Sequence, residues 1–128
     1  MEKFSMNFKS SKQPRKQRAY RYNAPLHIRQ RFAHVHLSKE LSEKYKKKRL
    51  GLRKGDKVKV MRGQFKGKIT VVEKIDLKKT KAILTGVELS KRDGSKTPYP
   101  VHISNLMLTE INLDDKKRKM KLEGKKNE

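Results

Sequence analysis

Between residues 51 and 112 short apolar runs recur, and two of them alternate with polar positions at a period of two. Val58 and Val60 alternate with Lys57 and Lys59. Ile69, Val71, Val72 and Ile75 form a second apolar run. Ala82, Ile83 and Leu84, continuing to Val87 and Leu89, form a third. Tyr99, Val101 and Ile103 alternate again, and Leu106, Met107 and Leu108 close the series. Such a period marks strands with one buried face. Turn signals separate the runs at Gly55-Asp56, Gly63, Lys66-Gly67 and Asp93-Gly94, the last a strong hairpin signal. Five short strands within about sixty residues predict a mainly β fold, a small closed or nearly closed five-stranded barrel.

Residues 1–50 read differently. The stretch 10–18 has no hydrophobic period and, alone in water, is expected to be disordered. Pro25 suits the first turn of a helix in which Ile28 and Phe32 lie one turn apart. Ser38 is the expected N-cap of a second short helix, with Glu40 near its positive end. Leu37, Leu41 and Tyr45 make a stripe at four-residue spacing, and Lys46, Lys47, Lys48 and Arg49 end the segment. After Asn112, the pair Asp114 and Asp115 opens a charged tail that begins as a helix and then frays. The chain thus divides into a basic extension with short helices (1–50), a barrel (51–112) and a tail (113–128).

Charge sharpens this picture. The 128 residues hold 36 lysines and arginines against 13 acids, a formal net charge of +23. Self-repulsion of that size opposes compaction unless a polyanion neutralises it. Nucleic acid is the commonest such partner, and an anionic membrane surface is the second. Only 33% of residues are apolar, against roughly 45–50% in a compact soluble domain, so part of the chain needs a partner to become ordered. No apolar stretch approaches the roughly 20 residues of a membrane span, and the first residues carry no apolar signal region. The absence of cysteine removes disulfides and thiolate metal sites and fits a reducing cytoplasm. Residues 1–50 carry 15 basic and 3 acidic residues. An arm so poor in acids points to RNA contact by Lys12, Gln13, Arg15, Lys16, Gln17, Arg18 and Arg21, followed by His27, Arg29 and Arg31. Scattered lysines such as Lys78, Lys79 and Lys81 fit a solvated surface equally well.

The stretch from Lys54 to Lys68 has a readable chemistry. Val58 and Val60 face the core, and Gly63 and Gly67 permit a loop that side chains would strain. Exposed loop amides beside Arg62, Gln64, Lys66 and Lys68 can approach a phosphate backbone. Phe65 at the tip either covers the barrel mouth or stacks on a base, and packing against its own protein is the preferred reading. This is not a nucleotide-binding P-loop. That motif needs a glycine five residues before Gly67, where Arg62 stands, and a hydroxyl residue after Lys68, where Ile69 stands. His34 and His36 have no third metal ligand nearby in sequence, and His27 and His102 have no evident acid or nucleophile partner. Asp114 and Asp115 suit a helix start better than acid–base work. No catalytic group, metal or cofactor is expected.

The same stretch resembles a KOW motif, the strand–loop–strand signature of RNA-associated SH3-like barrels. Residues 70–76 fit its second strand, with Thr70 where the pattern usually carries glycine. The flanks are similar to one family, the KOW-containing large-subunit ribosomal protein numbered twenty-four in bacteria and twenty-six in eukaryotes. The matching stretches are 11–18, Ala24-Pro25-Leu26-His27, Leu37-Ser38-Lys39-Glu40-Leu41, Asp93-Gly94 and His102-Ile103-Ser104-Asn105-Leu106. The long arm and short tail resemble the archaeal branch. The resemblance implies a structural constituent of the large subunit in the cytoplasm that binds the 5′ region of large-subunit ribosomal RNA early in assembly. It implies a place near the peptide-tunnel exit, beside neighbouring large-subunit proteins. The hairpin with Arg92, Asp93 and Gly94 at its tip would reach toward that exit. The alternative is a KOW-type transcription elongation factor module. Such factors pair the barrel with a separate α/β domain, for which residues 1–50 are too short and too basic.

Overall fold

In the computed structural model, which describes residues 4–124, strands stand within each of the apolar runs, although the run Tyr99, Val101 and Ile103 is strand only at Val101–His102 and passes into a 3-10 turn at Ile103. The first three are β1 (His34–Leu37), β2 (Arg49–Gly51) and β3 (Lys57–Val60). Then come β4 (Ile69–Asp76), β5 (Lys81–Leu84), β6 (Glu88–Ser90) and β7 (Lys96–Pro98). The last two are β8 (Val101–His102) and β9 (Leu106–Glu110). Seven of them form one mixed sheet in the order β2-β1-β9-β3-β4-β5-β8, and β6 and β7 form a separate two-stranded ribbon. The pairings are antiparallel except for β1 with β9.

The sheet is rolled. Strand β8 lies at one end and β9 four places away, yet a single 3-10 turn, Ile103–Asn105, joins them. In a flat sheet four interstrand spacings are about 19 Å, whereas a three-residue 3-10 turn advances only about 6 Å. Curvature brings the two together, and β4 supplies part of it. Its first half pairs with β3 and its second with β5, and the register shifts between Val72 and Lys74. A bulge of this kind bends a strand and increases its twist. Inside the roll lie Val58, Ala82, Val87, Ile103 and Leu108, all fully buried, with Val60, Val72 and Leu84 nearly so. Each of these valines, leucines and isoleucines contributes roughly 1.5–3 kcal/mol of transfer free energy.

Seven strands stand in the sheet where five were expected. The additional pair, β1 and β2, comes from the segment read as extension and helices, and the boundary drawn at residue 51 falls at the end of β2. The alternation His34-Val35-His36-Leu37 is only four residues long, and Leu37 also fits the stripe of the following helix. Its strand identity is decided by the parallel partner β9, which no local pattern reports. The apolar run from Ala82 to Leu89 divides, because Thr85 and Gly86 turn the chain and β6 leaves the sheet. On β4 the buried positions are Thr70 and Val72, while Ile69 and Val71 face outward. Thr70 is extended and paired with Val58, and its hydroxyl donates to the Thr85 carbonyl. No glycine geometry is required there.

Helix α1 (Pro14–Asn23) occupies the stretch expected to be disordered alone, and Pro14 sits in its first turn. Tyr20 anchors it, with ring centroids 5.2 Å from Phe4 and 6.0 Å from Phe32. Helix α2 (Leu26–Phe32) adds Ile28 to this small second core. Helix α3 (Lys39–Tyr45) starts as expected, with the Ser38 hydroxyl accepting from the Leu41 amide. Helix α4 (Lys116–Glu123) begins the tail, capped by Asp115. Arg118 and Leu122, one turn apart, face the barrel and are buried. The expected fraying of the tail end falls on residues 125–128, outside the described residues.

Asp56 and Arg118 form a buried, two-pronged ion pair. Arg118 donates from Nη1 to Asp56 Oδ1 at 2.6 Å and from Nη2 to Oδ2 at 2.7 Å. The same guanidinium donates to the carbonyls of Asn112 and Gly51. The carboxylate also accepts from the amides of Arg53 and Asn112. The pair is thus satisfied on every side and joins the edge strand, the barrel and the tail. Removing one partner of such a pair typically costs about 3–5 kcal/mol.

Candidate nucleic-acid interface

The loop between β3 and β4 is held as a fixed shape by its own backbone. The Val60 amide donates to the Lys68 carbonyl at 2.9 Å, and the Gly67 amide donates to the Val60 carbonyl at 2.8 Å. The Met61 amide donates to the Asn105 carbonyl at 2.7 Å, tying the loop to the 3-10 turn. Gly63 and Gly67 have φ of +93° and +87°. A Cβ at either would meet nothing within 4 Å, so backbone conformation and not space calls for glycine.

Arg62, Gln64 and Lys66 project from this frame and are exposed. Phe65 is half-buried, packs on the main core and lies 5.4 Å from Tyr99 between ring centroids. It follows the preferred reading of packing against its own protein. Lys68 is exposed, but its ammonium donates to the Gly86 carbonyl. The loop therefore presents Arg62 and Lys66 as uncommitted cations, with Lys68 partly engaged.

The arm presents a second basic surface. Arg15, Arg18 and Tyr22 fall on one exposed face of α1, with Lys12 and Gln13 just ahead of it. Beyond them, His27 and Arg31 are exposed on α2. Other predicted contacts are engaged within the protein, although Arg21 stays exposed. The Gln17 amide reaches the carbonyls of Phe8, Lys9 and Ser11 at 3.3, 3.0 and 2.7 Å. Lys16 lies over the Phe8 ring and Arg21 over Phe32. Arg29 donates to the Tyr22 carbonyl and is half-buried. These groups hold the arm's shape while their neighbours face solvent.

The β6–β7 ribbon is exposed along its whole length, with Arg92, Asp93 and Gly94 at its tip. Asp93 accepts from the Ser95 hydroxyl at 2.6 Å and from its amide at 2.9 Å. Those two bonds hold its carboxyl below the usual range. At the base of the ribbon the Tyr99 amide donates to the Val87 carbonyl.

His34 and His36 do share the outer face of β1. Among the described residues no three side chains of His, Cys, Asp or Glu are grouped to hold a metal, and no helix is long and apolar enough to cross a membrane. Sequence reasoning missed a third basic region around α4, where Lys117 and Lys121 stand beside Lys54 and His34. These residues are far apart in sequence, and the Asp56–Arg118 and Arg53–Asp115 pairs, with Leu122 in the main core, bring them together.

A rolled β-sheet thus carries a rigid glycine loop, a basic helical arm and an exposed two-stranded ribbon. The family described as ribosomal proteins L26 in eukaryotes and L24 in archaea matches residues 11–125. Similar chains include the large ribosomal subunit protein uL24 of Methanothrix thermoacetophila, 51% identical over 108 residues, covering 84% of this chain and 93% of that one. The uL24 of Methanosphaera stadtmanae is 48% identical over 115 residues, covering 90% and 98%. That of Methanospirillum hungatei is 46% identical over 114 residues, covering 89% and 95%. The chain belongs to this family of ribosomal proteins, of archaeal type, which are structural proteins and not enzymes.

Proposed function

We propose that this protein is a constituent of the large ribosomal subunit that binds large-subunit ribosomal RNA through its arm and its β3–β4 loop. The observation that carries this is the loop itself. Two glycines at positive φ hold Arg62, Gln64 and Lys66 outward, while Phe65 is fixed inward on Tyr99. Phosphate contacts made by such a loop and by Lys12, Arg15, Arg18 and Arg31 fix the protein's register on the RNA. The order β9-β3-β4-β5-β8, closed by the 3-10 turn, supports reading these five strands as the SH3-like KOW barrel, with β1 and β2 added at one edge.

The finer placement follows the family resemblance. It comprises contact with the 5′ region of the RNA, early entry into assembly, a seat beside neighbouring large-subunit proteins, and the ribbon tip at Arg92, Asp93 and Gly94 near the tunnel exit. The ribbon's isolation from the sheet supports a partner there, since a lone two-stranded hairpin is marginal in water. The cytoplasmic ribosome is the corresponding location.

Sedimentation of a native extract through sucrose, with and without high salt, tests the proposal. Co-sedimentation with the large subunit that resists moderate salt is the expected result. Protein that stays at the top of the gradient or follows RNA polymerase overturns it.

A further inference from the structure

A groove of about 620 Å³ lies between α2, β2, the end of β4 and α4. That volume is within the roughly 300–1,000 Å³ typical of ligand clefts. Its apolar part includes half-buried Ile75 and Leu77 beside Gly51. Its rim carries Lys54, Lys117 and Lys121, none of which has an acidic partner among the described residues. The neighbouring Arg118 and Arg53 are already paired, with Asp56 and Asp115.

Gly51 is the independent sign that this space has a use. Every other glycine of the chain sits at positive φ, but Gly51 is ordinary strand. Its backbone needs no glycine. A Cβ there would meet only the His34 ring, at 3.5 Å, so packing does not require glycine either. What the missing side chain leaves is open space above the groove. Beside the groove, partial burial first, and then the nearby cations Lys121, Arg31 and Arg49, lower the pKa of His34.

We propose that this groove holds one unpaired nucleotide of the bound RNA, its base against Gly51, Ile75 and Leu77 and its flanking phosphates on Lys54, Lys117 and Lys121. The inference rests on the RNA-binding reading above and adds a third contact region that the sequence did not suggest. Positive rim, apolar floor and absence of unpaired acids favour a nucleotide over an acidic protein segment, because unpaired bases bring an apolar face together with a charged backbone.

The test measures the affinity of the full chain for a large-subunit ribosomal RNA transcript across a salt series. Gly51→Val fills the groove without changing charge, and valine suits an edge strand. Binding about tenfold weaker is expected, with circular dichroism and thermal midpoint unchanged. The double variant Lys117→Ala/Lys121→Ala, at two exposed positions, is expected to lower the slope of log affinity against log salt by about one to two units. A folded Gly51→Val protein that binds like wild type overturns the groove. Should that variant fail to fold, wild-type affinity and slope in the lysine pair overturn it instead. Arg62→Ala/Lys66→Ala serves as the loop control. If it weakens binding while the groove variants do not, the ribosomal reading stands and the groove falls. A wild-type chain that does not bind the RNA removes both. Groove variants that keep RNA affinity but leave the large subunit overturn the nucleotide in favour of a protein contact.

Discussion

Asp56 and Arg118 show how one residue pair can set the limits of a domain. Neither is distinctive in the sequence: Asp56 reads as a turn residue and Arg118 as one cation among several in a tail. Buried together, they satisfy four further backbone groups and hold α4 on the barrel. Arg118→Ala leaves a buried carboxylate without its counter-charge, and a loss of about 3–5 kcal/mol is expected in urea unfolding. A midpoint within experimental error of wild type would contradict this account of the tail. His34 gives a pH signature. Its pKa is lowered in the folded chain by burial first and nearby cations second. The unfolded chain therefore takes up a proton more readily, and folding stability rises with pH through this range. His34's contribution is complete above the ordinary imidazole value of about 6.5 and is lost as pH falls through its lowered folded value. Thermal midpoints of His34→Gln, compared with wild type on descending from neutral pH, should show the shallower decline.

The elements differ in how locally they are determined. Strand β3 follows from alternation and β9 from a short apolar run, and α3 follows from its Ser38 cap and apolar stripe. Helix α1 does not, since its register depends on Phe4 before it and Phe32 after it closing on Tyr20. Tyr20→Ala is expected to melt α1 and α2 while the barrel persists, because the two apolar clusters are separate. Hydrogen exchange would show protection lost in 14–32 and kept in β3, β4 and β9, whereas a global loss would mean the clusters are one cooperative unit. The residues proposed to face RNA divide in the same way. Arg15 and Arg18 are presented by α1, while Gln17 on the same helix is consumed in holding it. Sequence spacing alone does not separate these roles, since the carbonyls that claim Gln17 belong to a neighbouring segment.

Across the molecule the net charge of +23 dominates. In the free chain it is self-repulsive, and salt screens it. On the proposed binding to RNA it would drive counterion release, which salt opposes. Added salt from low to physiological strength should therefore raise the thermal midpoint of the free protein while weakening its affinity for the transcript. Calorimetry and binding titrations in matched buffers read both, and a midpoint that falls with salt would show that local ion pairs outweigh the overall repulsion.

Local sequence was enough to specify the β class, the core positions Val58 and Val60, the glycine loop and the strongly positive charge. Each of these is written in neighbouring residues, as a period of two, a turn residue or a local charge density. Folding was needed to join 34–37 to β9, to turn Thr70 inward where Ile69 and Val71 face out, and to strap the tail through Arg118. It was needed also to gather Lys54, Lys117 and Lys121 around one groove. Those outcomes depend on pairs up to tens of residues apart, whose burial and hydrogen bonding are set by the curvature of the whole sheet and leave no periodic trace along the chain.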